Sequence, residues 1–201
     1  MNGKNITIEK AINYVNMLLV PLENHYYHSF DHALEVMNRA MYLAKKEGLS
    51  EADIEMLGLA GLFHDTGFVI QYDKNEPFGA KIASNYLKTI LYSSDRISKI
   101  SDIILATDPD YKNAKNIYEE IIKDADMDNL GRDDFSDRTN DLKKEIDIIK
   151  HIKWNNASWS HGVLQILKDY RFDTLTQKKE RNPKKNENLK KMIADLEIEA
   201  L

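Results

Sequence analysis

The sequence predicts an all-α protein, and three observations carry that expectation. Apolar residues recur three and four positions apart in one stretch after another, the spacing that gives a helix one buried face. Those stretches are bounded by residues that start and stop helices, with Ser29, Ser50, Ser94 and Asn116 at one end and Pro21, Gly48 and Gly131 at the other. No sustained alternating run, Gly-rich phosphate loop or internal repeat interrupts the pattern.

In chain order, Ile8, Ala11, Ile12, Val15, Leu18 and Leu19 place a first helix over residues 7–20, with Thr7 as its N-cap. Ser29 caps a second, which carries Phe30, Ala33, Leu34, Met37, Ala40 and Met41 and puts His32 in its first turn. Ser50 followed by Asp53 reads as a capping box for a third, running to His64. Pro77 suits the first turn of the next, with Ala80, Ala83, Leu87 and Ile90 inward. Ser94 caps a helix of Ile97, Ile100, Ile103 and Ile104, which Asp108-Pro109 brings to an end. After a polar loop, Asn116 caps Ile117 to Ala125 and delivers Asp124 and Asp126. Residues 132–141 are so densely charged that they read as a hinge. Helices follow around Leu142, Ile146 and Ile149, around Val163, Ile166 and Leu167, and around Leu189, Met192, Ile193 and Leu196. The basic run Lys178 to Lys191 reads as a solvated face.

At 201 residues the chain has room for one core and an appendage. The expected division is a core at 1–135 and a helical C-terminal extension at 136–201 that packs on it, with Trp154 and Trp159 as packing residues. Hydrophobic residues at 42% and charged ones at 30% argue against disorder, and no apolar run approaches the ~18 residues of a membrane span. The first residues lack a secretory signal, which makes the cytoplasm the expected location. A net charge of −5 speaks against a strong nonspecific grip on nucleic acid. Oligomeric state is not legible.

Chemistry concentrates around Leu59 to Phe68, where a run of small and apolar residues leads straight into His64 and Asp65. Burying a carboxylate unpaired is costly, and metal coordination is one arrangement that offsets it. With no cysteine in the chain, His and carboxylates are the strong side-chain ligands left. Three segments supply them: His28 with His32, His64 with Asp65, and Asp124 with Asp126. The last two aspartates lie about 200° apart around a helix, so both can hardly serve one ion. His25, Glu76 and Lys81 read as surface groups, and His151 and His161 belong to no motif.

The order of these segments resembles the HD-domain superfamily of metal-dependent phosphohydrolases, whose signature is H, then HD, then D on separate helices. Tyr27-His28-Ser29-Phe30-Asp31-His32-Ala33 is similar to the YHNxxHA stretch of cyclic-nucleotide phosphodiesterases, with Ser29 in place of asparagine. Leu62 to Phe68 looks like the HD block and Lys123 to Met127 like the final one. The resemblance implies an HD-domain helical bundle with His32, His64, Asp65 and Asp126 as metal ligands. It implies one divalent ion (Mn, Fe, Co, Ni, Zn or Mg), with a second that Asp65 can bridge. His28 matches the acid that protonates the leaving oxygen, and Asp65 orients the attacking water. The implied function is hydrolysis of a nucleotide or related small phosphomonoester or diester by metal-bound hydroxide. Two alternatives stand beside it: a metal- and nucleotide-binding sensor without turnover, and a diiron oxygenase, which needs further His ligands.

Overall fold

A computed structural model describes residues 3–199, and all the regular structure among them is helical. The chain divides into two compact units, one of residues 1–23 and 28–126 and the other of residues 24–27 and 127–201.

The first unit contains α1 (Gly3–Leu19), α2 (Phe30–Lys46), α3 (Glu51–Phe63), α4 (Glu76–Thr89), α5 (Ser94–Leu105) and α6 (Ile117–Asp126), with a 3-10 turn at Thr66–Val69 between α3 and α4. Helix α3 is its axis. Every residue from Ile54 to Phe63 is buried, because α1, α2, α4, α5 and α6 all pack against it. Contact with α2 is close where it matters: a Cβ on Gly61 would meet the Met37 backbone at 3.0 Å, and one on Gly58 the Met41 side chain at 2.7 Å. These pairings make α2 and α3 antiparallel, which sets the start of α2 beside the end of α3.

The caps behave as their chemistry dictates. Ser29 Oγ accepts the His32 N–H at 3.4 Å, Ser50 Oγ accepts that of Asp53 at 3.2 Å, and Asn116 Oδ1 accepts those of Tyr118 and Glu119 at 3.0 and 3.1 Å. Two boundaries differ from expectation. Helix α1 begins at Gly3, since no breaker separates it from Thr7, and Thr7 lies inside the helix. Ser93, not Ser94, occupies the N-cap of α5.

The second unit holds a 3-10 turn at Met127–Gly131, α7 (Phe135–Ile149), α8 (Asn156–Asp169) and α9 (Leu175–Glu199). Leu130, Phe135, Val163, Leu167 and Phe172 form its core. Residues 132–141, expected as a hinge, are helical from Phe135 onward. The charges conceal a face that buries Phe135, Thr139 and Glu145, and Glu145 accepts the Tyr27 N–H at 2.8 Å. The basic run in α9 is not wholly solvated either. Lys185 is buried and its Nζ donates to the carbonyls of Leu167 and Tyr170 at 2.7 and 2.8 Å, closing the C-terminal end of α8. Asp128 accepts from Arg181 Nε at 2.7 Å and from Gln177 Nε2 at 2.9 Å. Trp154 and Trp159 stand 6.4 Å apart between ring centroids. Among the described residues no helix is long and apolar enough to cross a membrane.

Candidate metal centre

Three helix ends in the first unit converge. His32 comes from the first turn of α2, His64 caps the C-terminus of α3, Asp65 follows in the turn, and Asp126 is the last residue of α6. Ligand atoms of His32, His64 and Asp126 all lie within 4.8 Å of one another. His32 Nε2 is 3.2 Å from Asp126 Oδ1 and 3.6 Å from Asp65 Oδ2. His64 Nε2 is 3.5 Å from Asp126 Oδ1 and 3.1 Å from Asp65 Oδ2. Four atoms therefore form a closed ring, with nitrogen and oxygen alternating.

That spacing among His32, His64 and Asp126 fits a shared cation, whereas Asp65 stands outside the three-residue group although its Oδ2 reaches both imidazoles. Ligands about 2.1 Å from one ion and about 90 to 109° apart stand about 3.0 to 3.4 Å from each other. The donor chemistry agrees. His64 Nδ1 lies 2.7 Å from the Gly61 carbonyl, which can only accept, so Nδ1 carries a proton and the neutral ring presents the Nε2 lone pair to the ring of donors. His64 Nε2 and Asp65 Oδ2 are both buried without a hydrogen-bond partner. Asp126, with a side chain 24% exposed, leaves the centre open to solvent on its side.

Charge is balanced inside the cluster. Burial alone would push the His64 imidazolium down, but the carboxylates of Asp65 and Asp126 outweigh it and hold the ring well above the usual histidine range. Burial would raise both carboxyls, yet His64 above all lowers Asp65, and the hydrogen bond with His32, together with the nearby His64 ring, holds Asp126 far below the usual carboxylate range. The two carboxylates therefore favour a proton on the His64 ring in the absence of an ion, and a metal competes with that proton. Metal loading is expected to release protons, with affinity falling as pH falls. Calorimetry in two buffers of different ionisation enthalpy measures this, and affinity unchanged between pH 6 and 8 would contradict it.

His28 stands beside the cluster. Its ring lies 4.3 Å from Phe68 at 31° and 6.2 Å from His32 edge-on, while Tyr72 closes on both His28 and Phe68 at 6.1 and 5.1 Å. The 3-10 turn connects this aromatic cradle to the cluster, since the Phe68 N–H donates to the Asp65 carbonyl at 3.1 Å. Asp124 is fully buried but stands outside the three-residue ligand group. His25, His151 and His161 belong to the second unit. Lys81 is exposed, as expected. Glu76 is not: it is 6% exposed, and Asn75 beside it is equally buried. Burial, then the charges of Asp108 and Asp65, push the Glu76 carboxyl up. Gly79, an isolated glycine within a helical pattern, was the available signal of a close approach there.

The turn after His64 is held by tight backbone packing. A Cβ on Gly67 would overlap the Asn75 carbonyl group and stand 2.9 Å from Gly79 N. Since backbone cannot step aside as a side chain can, Gly67→Ala is expected to cost about 3 kcal/mol, the upper part of the overpacking range. Urea unfolding of the metal-free protein measures it; an unchanged midpoint would contradict the packing described.

The HD domain model matches residues 29–129, and the chain belongs to the HD domain family, one of metal-dependent phosphohydrolases. The fold is similar to the crystal structure of an HD-superfamily hydrolase from Bacillus thuringiensis, with a TM-score of 0.67 and 18% identity over 98% of this chain and 97% of that one. No curated protein matches the sequence.

Proposed function

We propose that this protein hydrolyses a phosphoester of a nucleotide or a related small molecule, with one divalent ion held by His32, His64, Asp65 and Asp126. The observation that carries the reading is the ring of four donor atoms, spaced 3.1 to 3.6 Å, which ends in a solvent-facing edge at Asp126. Nitrogen and oxygen donors in this mixture suit Mn, Fe, Co, Ni or Zn, and Mg less well. When bound, such an ion makes water a nucleophile near neutral pH and stabilises charge on a phosphoryl oxygen.

The chain's own residues supply orientation and protons. The Gly61 carbonyl fixes the His64 tautomer, and Asp65, reaching both imidazoles, orients the attacking water. His28, half-buried and clamped by Phe68 and Tyr72, gives its proton to the oxygen that leaves phosphorus. The first unit contains three histidines, His28, His32 and His64, and one of them stands off the cluster; this supports a hydrolytic centre over a diiron one, which needs more nitrogen donors.

Phosphomonoesters and nucleotide phosphodiesters tested in turn with Mn, Co, Ni and Mg are expected to reveal turnover. Tight nucleotide binding with no turnover under any metal would instead make the protein a sensor.

A further inference from the structure

The Glu76 carboxylate is buried, and its Oε2 has no hydrogen-bond partner. So is the neighbouring Asn75, whose Oδ1 is likewise unpartnered. A buried acceptor left without a donor costs stability, so two in succession mark a place where a donor arrives with a ligand. Their position says which ligand. Both begin α4, and the backbone on either side touches the turn that carries His64 and Asp65: a Cβ on Gly67 would strike the Asn75 carbonyl carbon at 2.7 Å, and one on Gly79 would strike the His64 carbonyl oxygen at 2.7 Å. Glu76 lies between these two contacts in the chain, and its carboxyl feels the charge of Asp108 first and that of Asp65 next. The nearest cation in sequence is committed elsewhere, since Lys74 Nζ is paired with Asp108 and Asp110 at 3.2 and 2.5 Å. Asp65 and Asp126 each face two imidazoles. Asp65 Oδ2 is unpartnered as well, but it faces both imidazoles; Glu76 Oε2 is a buried carboxylate oxygen that the described ion pairs leave free of the ligand nitrogens.

We propose that Glu76 Oε2 accepts a hydrogen bond from the attacking water and takes its proton. The inference rests on the phosphohydrolase reading above. As the water oxygen bonds to phosphorus, one of its protons passes to Glu76; the bond from phosphorus to the leaving oxygen breaks, and that oxygen takes its proton from His28. Water has then been added across the ester. The product phosphate keeps the water's second proton as a P–OH beside Glu76.

That last point gives a test without turnover. Hydrogen phosphate has an O–H to donate to a buried carboxylate, whereas sulfate has none and is repelled. Calorimetry of the manganese-loaded protein is expected to show phosphate bound at least about tenfold more tightly than sulfate, and Glu76→Gln, whose amide can donate to either anion, to bring the ratio near one. On substrates, Glu76→Gln with metal content retained should lower kcat about 100-fold or more, by the same factor for nucleotides and for p-nitrophenyl esters, because the group acts on the nucleophile and not on the leaving oxygen. Equal binding of the two anions by the wild type, or a preference that survives in Glu76→Gln, overturns the proposal. So does loss of metal in that variant, which would make Glu76 a ligand. If the anion preference and its loss are found but no ester is hydrolysed, the phosphohydrolase reading fails and Glu76 stands as the acceptor; if esters are hydrolysed and the preference is absent, the reverse holds.

Discussion

Asp65→Ala is expected to abolish hydrolysis and strip most of the bound metal. Asp65 Oδ2 reaches both imidazole nitrogens, at 3.1 and 3.6 Å, and it is the anion most directly opposed to the His64 proton. On the proposed assignment, removing it takes away a ligand and part of the negative charge that attracts a cation. Losing an outer-shell partner of a metal ligand already costs about 10 to 100-fold in affinity, so losing a ligand should cost more. His32→Ala should behave the same way, because His32 Nε2 touches both Asp65 and Asp126. Metal analysis after dialysis, beside turnover, measures both. An Asp65→Ala protein with undiminished activity would sink the assignment.

His28→Ala should separate chemistry from metal binding. The ring is 4.3 Å from Phe68 and stands edge-on to His32, beside the donor ring and not within it. Metal content should therefore remain near normal. A general acid contributes about 100 to 10,000-fold, and its loss is felt most where the leaving oxygen is a poor one. Activity on nucleotides should fall by that factor, and activity on p-nitrophenyl esters much less. If the metal is lost as well, His28 is a ligand. Equal losses on both substrates with metal retained would show that it positions substrate.

What the sequence discloses depends on how local the physics is. Ser29, Ser50 and Asn116 cap helices through atoms two or three residues away, and each was legible. The α3 run into His64 and Asp65 was legible because apolar residues on every side of a helix announce burial. Where burial depends on segments meeting in space, sequence reading fails. Glu76 looks like a solvated charge at a helix start; it is buried between the close approaches of Gly67 to Asn75 and of Gly79 to His64, visible only once the turn and α4 are placed together. Lys185 is one lysine in a basic run, and only the end of α8 distinguishes it. Residues 132–141 read as a hinge because their charges outnumber the few residues that face inward. The aromatic cradle of Phe68 and Tyr72 carries no motif, as its members meet His28 from some forty residues away.

The central claim is that these four side chains hold one divalent ion. Crystals of the manganese-loaded protein, measured at a wavelength where manganese scatters anomalously, test it most directly. The account predicts a strong anomalous peak about 2.0 to 2.3 Å from His32 Nε2, His64 Nε2, an oxygen of Asp65 and an oxygen of Asp126. A peak bound by other residues, or none between those four in protein shown by solution analysis to retain its metal, would contradict it.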